Sequence, residues 1–290
     1  MKHPKNEIFA ERQLGLAHGR QLNLGCCGQL MAIVNVTPDS FSDGGQFGDL
    51  DDAFQFALKA MEEGAHILDV GGESTRPGAK PVSPAEEQAR VLPVIRRLSA
   101  ETDAVISIDT YRAETARLAI EAGAHIINDV SGGMADSQMF SVAAEAKAGY
   151  CLMHTSRERS VLAAPLEDQL MFLRQQVAEA KRQGIGDHNL LLDPGFGFGK
   201  DTGENLDIMA GLRTLQNLGI PLLIGTSRKR FVAALSGGTD NLSRDFGTAA
   251  TTVLTRLAGG SIFRVHNVAA NKAALAFADA MISRGFGEST

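Results

Sequence analysis

The sequence predicts an α/β protein of the (β/α)8 TIM-barrel class with an N-terminal β-hairpin extension. Three observations carry that prediction. Eight apolar runs of buried-strand length recur along the 290 residues, separated mostly by stretches long enough for a helix. Nearly every run stops at a polar residue suited to binding or chemistry, as expected where functional groups gather at the C-terminal ends of parallel barrel strands. The tetrapeptide GAHI occurs at 64–67 and again at 123–126, with a weaker echo at 259–262. Each of its glycines sits where a helix needs a left-handed cap before the next strand.

The runs fall in order. Residues 30–34 end in Asn35, 67–70 lead to Glu73, Thr75 and Arg76, 105–108 end in Asp109, and 126–127 end in Asn128 and Asp129. Residues 151–153 end in His154, 190–192 in Asp193, 222–224 run into the segment 226–229, and 262–263 precede Arg264 and His266. After a loop over 36–47, Asp51 and Asp52 open a helix with Phe54, Ala57, Leu58 and Met61 on one face, acidic residues being favoured at a helix N-terminus. Ser83, Pro84 and Glu86 predict a capping box with Pro at the first helical position and a helix to about Ser99. Further helical patterns cover 113–121, 138–147, 166–182, 206–218, 246–257 and 270–283. Residues 1–28 precede the first barrel strand, and their Gly-rich stretch 16–28 predicts a hairpin that plugs the barrel bottom. No Pro/Ser-rich linker divides the rest, so 29–285 reads as one barrel domain.

Composition narrows the function. A chain this long buries about 75% of its unfolded surface, so neither metal nor disulfide staple is required. A formal charge of −6 argues against nucleic-acid binding, which needs a basic face, and means that any anionic ligand must meet a local cationic cluster. Three cysteines, two adjacent as Cys26 and Cys27, give neither a disulfide framework nor zinc-ligand spacing, which fits a reducing cytoplasm. The N-terminal MKHPKNEIF lacks the apolar core of a signal peptide, and no run approaches membrane-spanning length.

The strand ends supply the chemistry. Asp109 and Asn128 end adjacent strands and Asp193 ends another. Such groups facing inward from an apolar wall suit a flat heterocycle, because a carboxylate accepts two parallel N–H bonds while an amide both donates and accepts. Lys229 follows the seventh strand, where it would neutralise Asp193 or donate to a ring atom. Arg264 and His266, two residues apart, point the same way and with Arg76 make a cationic corner, so the expected ligand is a phosphate or diphosphate. Asn35, a neutral oxygen donor at the mouth, suits a Mg²⁺ ion that a diphosphate mostly coordinates, since Mg²⁺ takes few protein ligands. The polar first loop, NVTPDSFSDGG, reads as a lid. DPGFGFGKD lacks the spacing of a nucleotide-binding loop, and no Ser/His/Asp arrangement points to a nucleophilic triad. His66 and His125, at strand starts, are expected to be structural, whereas His154 either orients a neighbour or catalyses.

Taken in order, MAIVNVTPDSFSDGG, ILDVGGESTRPGA, ISIDTY, HIINDVSGG, LLDPGFGFGKD, GTSRKRF and RVHNV resemble the dihydropteroate synthase family of pterin-binding barrels over about 31–268. The resemblance implies condensation of 4-aminobenzoate with (7,8-dihydropterin-6-yl)methyl diphosphate in folate biosynthesis, with Mg²⁺, a homodimer and sulfonamide inhibition. It implies that Asn35 contacts magnesium, that Asp109, Asn128, Asp193 and Lys229 read the pterin, and that Thr75, Arg76, Arg264 and His266 meet the diphosphate. Met153 and Phe198 would line the pterin and aminobenzoate region, Asp39 would belong to the closing loop, and Asp109, Lys229 and Asp39 would be catalytic. Arg230, Asn267 and the pair Thr155-Ser156 depart from the commoner family pattern, and bear on aminobenzoate affinity and sulfonamide sensitivity. The alternatives are a methyltetrahydrofolate:corrinoid methyltransferase on the same barrel, which has no need of a diphosphate corner, and a non-catalytic pterin-binding paralogue.

Overall fold

The computed structural model describes residues 7–37, 46–74, 80–157, 159–238 and 240–286. A two-stranded antiparallel hairpin, β1 (Arg12–Gly15) and β2 (Gln21–Leu24), precedes a closed barrel of eight parallel strands. The barrel strands are β3 (Gln29–Asn35), β4 (Ile67–Gly71), β5 (Val105–Asp109), β6 (Ile126–Asp129), β7 (Gly149–Met153), β8 (Leu190–Asp193), β9 (Leu222–Ile224) and β10 (Gly260–Val265). They follow sequence order around the ring, which closes where β10 pairs with β3. Each covers the run expected of it. Such strands are buried on both faces, so their sequences are near-continuous in apolar residues.

Outside the ring lie α1 (Gln46–Glu63), α2 (Pro84–Glu101), α3 (Ala113–Glu121), α4 (Met139–Glu145), α5 (Pro165–Arg182), α6 (Thr202–Ala210), α7 (Arg230–Ser236), α8 (Asn241–Leu257) and α9 (Val268–Ser283). Five depart from the sequence expectation, one of them α8, which starts at Asn241, five residues before the expected 246. Helix α1 starts at Gln46, five residues before Asp51. The box at α2 is half formed: Ser83 Oγ accepts from Glu86 N at 3.2 Å, but the Glu86 carboxylate pairs with Arg90 instead of turning back to the cap. The pattern at 206–218 splits into α6 and a 3₁₀ segment, Leu212–Leu218, around Gly211. Helix α7 was not anticipated, its seven residues being too few for a periodic signal. The repeated glycines behave as expected, with φ of 113° at Gly64, 112° at Gly123 and 103° at Gly259.

Two cores result from strand alternation. One residue from each barrel strand (Met31, Ile67, Val105, Ile126, Cys151, Leu191, Leu223, Ile262) points inward and packs with Leu14, Leu16 and Leu24 of the hairpin. The hairpin therefore plugs the N-terminal end of the barrel. Asn189 Nδ2 donating to the Gly15 carbonyl at 2.9 Å, and Arg20 donating to the carbonyls of Asp103 (2.7 Å) and Ala104 (3.2 Å), hold it there. The intervening residues, such as Leu30, Ala32, Leu68, Val70 and Ile106, face the helices in a larger second core. His66 and His125 are structural: their Nδ1 atoms accept the backbone N–H of Leu30 (3.1 Å) and Ile106 (3.0 Å) on neighbouring strands. Burial lowers both, His125 to about 4, and keeps the rings neutral acceptors.

Candidate active site

The same alternation decides which groups meet at the open end. With the eight bottom residues pointing inward, positions two and four further along point inward as well. Asn35, Asp69, Asp109, Asn128, Met153, Asp193, Arg264 and His266 all have that parity.

A charge cluster occupies the middle of this wall. Arg264 Nε donates to Asp69 Oδ2 at 2.6 Å and Nη2 to Asp109 Oδ2 at 2.6 Å, while Asn128 Nδ2 donates to Asp69 Oδ2 at 3.1 Å. Asp109 and Asn128 are register partners on β5 and β6. Burial pushes the Asp109 carboxyl up to about 7; Arg264 opposes the rise, and the nearby carboxylates of Asp69, Glu87 and Asp129 reinforce it. Burial also works against the Arg264 charge, but Asp69 and Asp109 outweigh it and hold the guanidinium above its usual range.

Asp193 and Lys229 form the other half. The Gly195 N–H donates to Asp193 Oδ1 at 2.7 Å. A Cβ at Gly225 would lie 3.5 Å from Asp193 Oδ2 and 3.6 Å from Lys229 Nζ, so both groups border a space that glycine leaves open. Lys229 precedes α7; its Nζ donates to the Phe196 carbonyl and lies 4.6 Å from the centre of the Phe198 ring. The Arg157 guanidinium lies 4.8 Å from that ring as well. Burial lowers Lys229 to about 8, with Asp193 opposing and Arg264 adding. Burial raises Asp193, against the pull of Lys229 and the Gly195 N–H.

The DPGFGFGK segment shapes this half and forms no nucleotide-binding motif. Gly195, Gly197 and Gly199 take φ of 67°, 78° and 68°, and the turn closes on itself. Lys200 Nζ donates to the carbonyls of Gly195 (2.8 Å) and Phe198 (3.3 Å), and Asn205 Oδ1 accepts from Gly197 N at 2.7 Å. Lys200 is thus a brace whose ammonium is pushed down to about 7 by burial and by Lys229.

At the β10 end, His266 Nδ1 sits 2.9 Å from Ser227 Oγ, which also accepts the His266 backbone N–H at 3.1 Å. Arg228 makes two bonds to Asp245, at 2.7 and 2.8 Å, and Asn267 Nδ2 donates to the same carboxylate at 3.0 Å. Asn267 Oδ1 caps α9 through Ala270 N, so its amide uses both ends, which a carboxylate could not do. Arg230 is exposed at the start of α7. His154 has the outward parity, bonds Asp168 at 2.9 Å, and is pushed down to about 3, first by burial and then by Lys200, so its ring lies outside the inward-facing set.

The structure therefore brings Asp109, Asn128, Met153, Asp193, Phe198, Lys229, Arg264 and His266 to the mouth, with Asn35 half-buried at the end of β3. Asp39, Thr75 and Arg76 lie outside the described residues. Among the described residues no cluster of three or more His, Cys, Asp or Glu side chains could hold a metal. Arg264 differs from expectation in aim, since two of its N–H groups serve carboxylates. Sequence reasoning missed Asp69 and Lys200; inward parity two residues before the strand end is the signal that finds Asp69.

Comparison with known proteins fits this geometry. Residues 31–266 match the family model described as "Pterin binding enzyme". The dihydropteroate synthase of Streptococcus pyogenes serotype M6 is 46% identical over 244 residues, covering 84% of this chain and 91% of the relative. Xanthomonas albilineans dihydropteroate synthase, solved with 4-aminobenzoic acid, superposes with a TM-score of 0.88 at 40% identity, covering 94% of this chain and 98% of that one. The same enzyme in complex with 7,8-dihydropteroate gives a TM-score of 0.84 at 38% identity, over 93% of this chain and 98% of that one. The chain belongs to the pterin binding enzyme family and, within it, to the dihydropteroate synthases.

Proposed function

We propose that this chain condenses 4-aminobenzoate with (7,8-dihydropterin-6-yl)methyl diphosphate, releasing diphosphate and 7,8-dihydropteroate for folate biosynthesis. The observation that carries the reading is the set Asp109, Asn128, Asp193 and Lys229 on the inner wall of an otherwise apolar barrel. It offers carboxylate and amide acceptors beside one cationic donor, which complements a 2-amino-4-oxo pterin.

The bond from the pterin methylene to the diphosphate oxygen breaks with its electron pair going to the diphosphate. The arylamine nitrogen then bonds to that methylene carbon and gives up a proton to solvent or to the departing diphosphate. The buried carboxylates Asp109 and Asp193 stabilise positive charge developing on the pterin-methyl group, in a setting where fixed charges act more strongly than in water. Lys229 anchors the ring and, with Arg157, frames Phe198, against which the aminobenzoate ring packs. Arg264 and His266, with Thr75 and Arg76, would receive the diphosphate, and Asp39 would close over it. No residue need act as a strong general base.

Asn35 suits the proposed Mg²⁺, because its side-chain oxygen is a hard donor and the described residues offer no acidic cage of their own. The ion would be held chiefly by diphosphate oxygens and water, and when bound it neutralises leaving-group charge. Three free cysteines, two of them exposed, support a cytoplasmic location; no helix among the described residues is long and apolar enough to cross a membrane. Occupation of the aminobenzoate region by a sulfonamide would make the chain a sulfonamide target. We further infer a homodimer through the apolar outer faces of α7, α8 and α9.

Diphosphate release by purified protein, with the dihydropterin diphosphate, Mg²⁺ and 4-aminobenzoate each omitted in turn, tests the reading. Release that requires the arylamine and yields dihydropteroate supports it. Pterin binding without release points to the methyltransferase or the silent binder.

A further inference from the structure

One carboxylate of the inner wall has no place among the groups assigned to the ligand. Asp69 lies midway along β4, two residues before the strand end, with 0% exposure. Its Oδ2 accepts from both Asn128 Nδ2 (3.1 Å) and Arg264 Nε (2.6 Å). Its Oδ1 is buried with no hydrogen-bond partner among the described residues. Stability does not account for such a group. A buried ion pair recovers its desolvation cost only with full hydrogen bonding, and apolar residues of similar volume are often as stable or more so. The register partners of Asp69 on the neighbouring strands, Ile33 and Ser107, carry no charge.

What Asp69 does settle is the sense of its partners. The two ends of a primary amide have nearly the same shape and differ in being donor or acceptor. A carboxylate only accepts, so the end of Asn128 that meets Asp69 is the NH₂, and Oδ1 is the end left for other partners. Arg264 is fixed in the same way: with Nε on Asp69 and Nη2 on Asp109, its guanidinium plane is locked between two carboxylates. Asp109 is thereby held in one orientation as well.

We propose that Asp69 is the positioning residue of the pterin site, acting through Asn128 and Arg264 to keep the ring-reading groups as acceptors for a heterocycle that presents N–H donors. Asp69 itself need not touch the ligand. The proposal rests on the pterin-binding function inferred above and goes beyond it by assigning the polarity of the site to a residue outside the ligand-reading set.

The test is a double-mutant cycle read as kcat and as separate KM values for the two substrates. D69N keeps the shape but can offer the Asn128 NH₂ only a neutral oxygen, or a donor if its amide turns, so the sense of the Asn128 amide is no longer fixed by a group that can only accept. The KM for the pterin diphosphate should rise about 10- to 100-fold, the loss expected when a charge-assisted bond is broken in a buried site. The KM for 4-aminobenzoate should stay within about twofold, since that loss is confined to groups contacting the pterin. The exchange D69N/N128D restores the pattern at unchanged net charge. With its NH₂ in the Oδ2 place, the amide now on β4 donates to the carboxylate now on β6, which again presents an oxygen acceptor, and Arg264 keeps Asp109 as its partner. The double variant should bind the pterin diphosphate at least about tenfold better than either single variant.

A D69N enzyme with an unchanged pterin KM would overturn the proposal, as would a folded double variant no better than the singles. If D69N does not melt cooperatively, the double variant decides alone: turnover with a near-normal pterin KM upholds the role, and a KM raised as far as in N128D removes it. Failure of the wild-type protein to form dihydropteroate strikes the functional reading instead, and the two failures are distinguishable in the same assay.

Discussion

Asp109 and Lys229 are shifted toward one another by the same cause. Burial drives the carboxyl up to about 7 and the ammonium down to about 8, so both are ionised only across a narrow interval. If charge on each serves pterin binding, kcat/KM for the pterin diphosphate falls below about 7 as Asp109 gains a proton and above about 8 as Lys229 loses one. Lys229→Ala should lower kcat/KM by ~100-fold or more, the cost typical of removing one preorganised donor, and its residual activity should lack the alkaline limb. An alkaline limb that survives the substitution assigns it to another group. Stability runs in the opposite direction to function. The folded Asp109 value lies above the ordinary 3.8, so between those pH values the native state holds a proton that the unfolded state has lost, and stability falls as pH rises through that window. Asp109→Asn has no charge to bury. Its Tm gain over wild type should therefore be small at pH 4, grow toward pH 7 and level off above, while synthase activity drops. A gain independent of pH would show that ionisation of Asp109 costs the fold nothing.

The βα loop after β8 shows how an element imposes geometry on those residues. Gly195 has φ of 67°, and a Cβ there would lie 1.7 Å from the His154 carbonyl oxygen. Gly195→Ala must displace the turn, taking with it the N–H that holds Asp193 and the carbonyl that Lys200 braces. We expect a loss of turnover exceeding ~10-fold, by the rule that ångström-scale misplacement of a catalytic group costs this much or more. Melting should fall by only a few degrees, because the barrel wall itself is untouched. Normal turnover in that variant would mean that the turn does not position Asp193. Much of this element-level architecture was legible beforehand. The eight strands could be read because a doubly buried parallel strand is one uninterrupted apolar run, and the strand-end residues Asp109, Asn128 and Asp193 because each run stops at them. Asp69 was passed over: it is a lone polar residue inside the run ILDVG that only a count of inward parity from Ile67 picks out, and its partner Arg264 lies on the far side of the sequence. Helix α7 and the start of α1 escaped because seven residues carry no period and Gly48, close behind the Gly44-Gly45 pair, makes the first turn of α1 read as loop. The missing half of the α2 cap has a competitive cause, since Arg90 one turn along offers Glu86 a charged partner in place of a backbone N–H.

At the scale of the whole molecule, the outer surface of α8 breaks the usual pattern of a surface helix. Its exposed positions include Leu242, Phe246, Ala250 and Leu254, spaced four apart along one stripe. Leu235 on α7 and Phe277 on α9 are exposed as well, at 57% and 67%. A helix facing water normally turns its polar side outward, and an apolar surface of this extent marks an interface. In the homodimer proposed above, a second copy of the chain would satisfy it by symmetry, stripe against stripe. The inner face of the same helix reaches the site: Asp245 holds Arg228, Thr248 Oγ1 accepts from Arg228 N at 3.1 Å, and Thr251 bonds Thr226 at 2.7 Å. Arg228 immediately precedes Lys229 and has φ of 54°, a conformation that a non-glycine residue keeps only when its surroundings hold it. Pairing of two α8 stripes, as proposed, would stiffen the helix that fixes the Lys229 loop. Phe246→Glu puts a charge in the middle of the stripe, next to Asp245. It should convert the proposed dimer to a monomer by light scattering, and should lower Tm and raise the pterin KM severalfold even when the barrel remains folded by circular dichroism. A Phe246→Glu protein that stays dimeric would move the interface elsewhere. A monomer with unchanged pterin KM would keep the interface and separate it from the site.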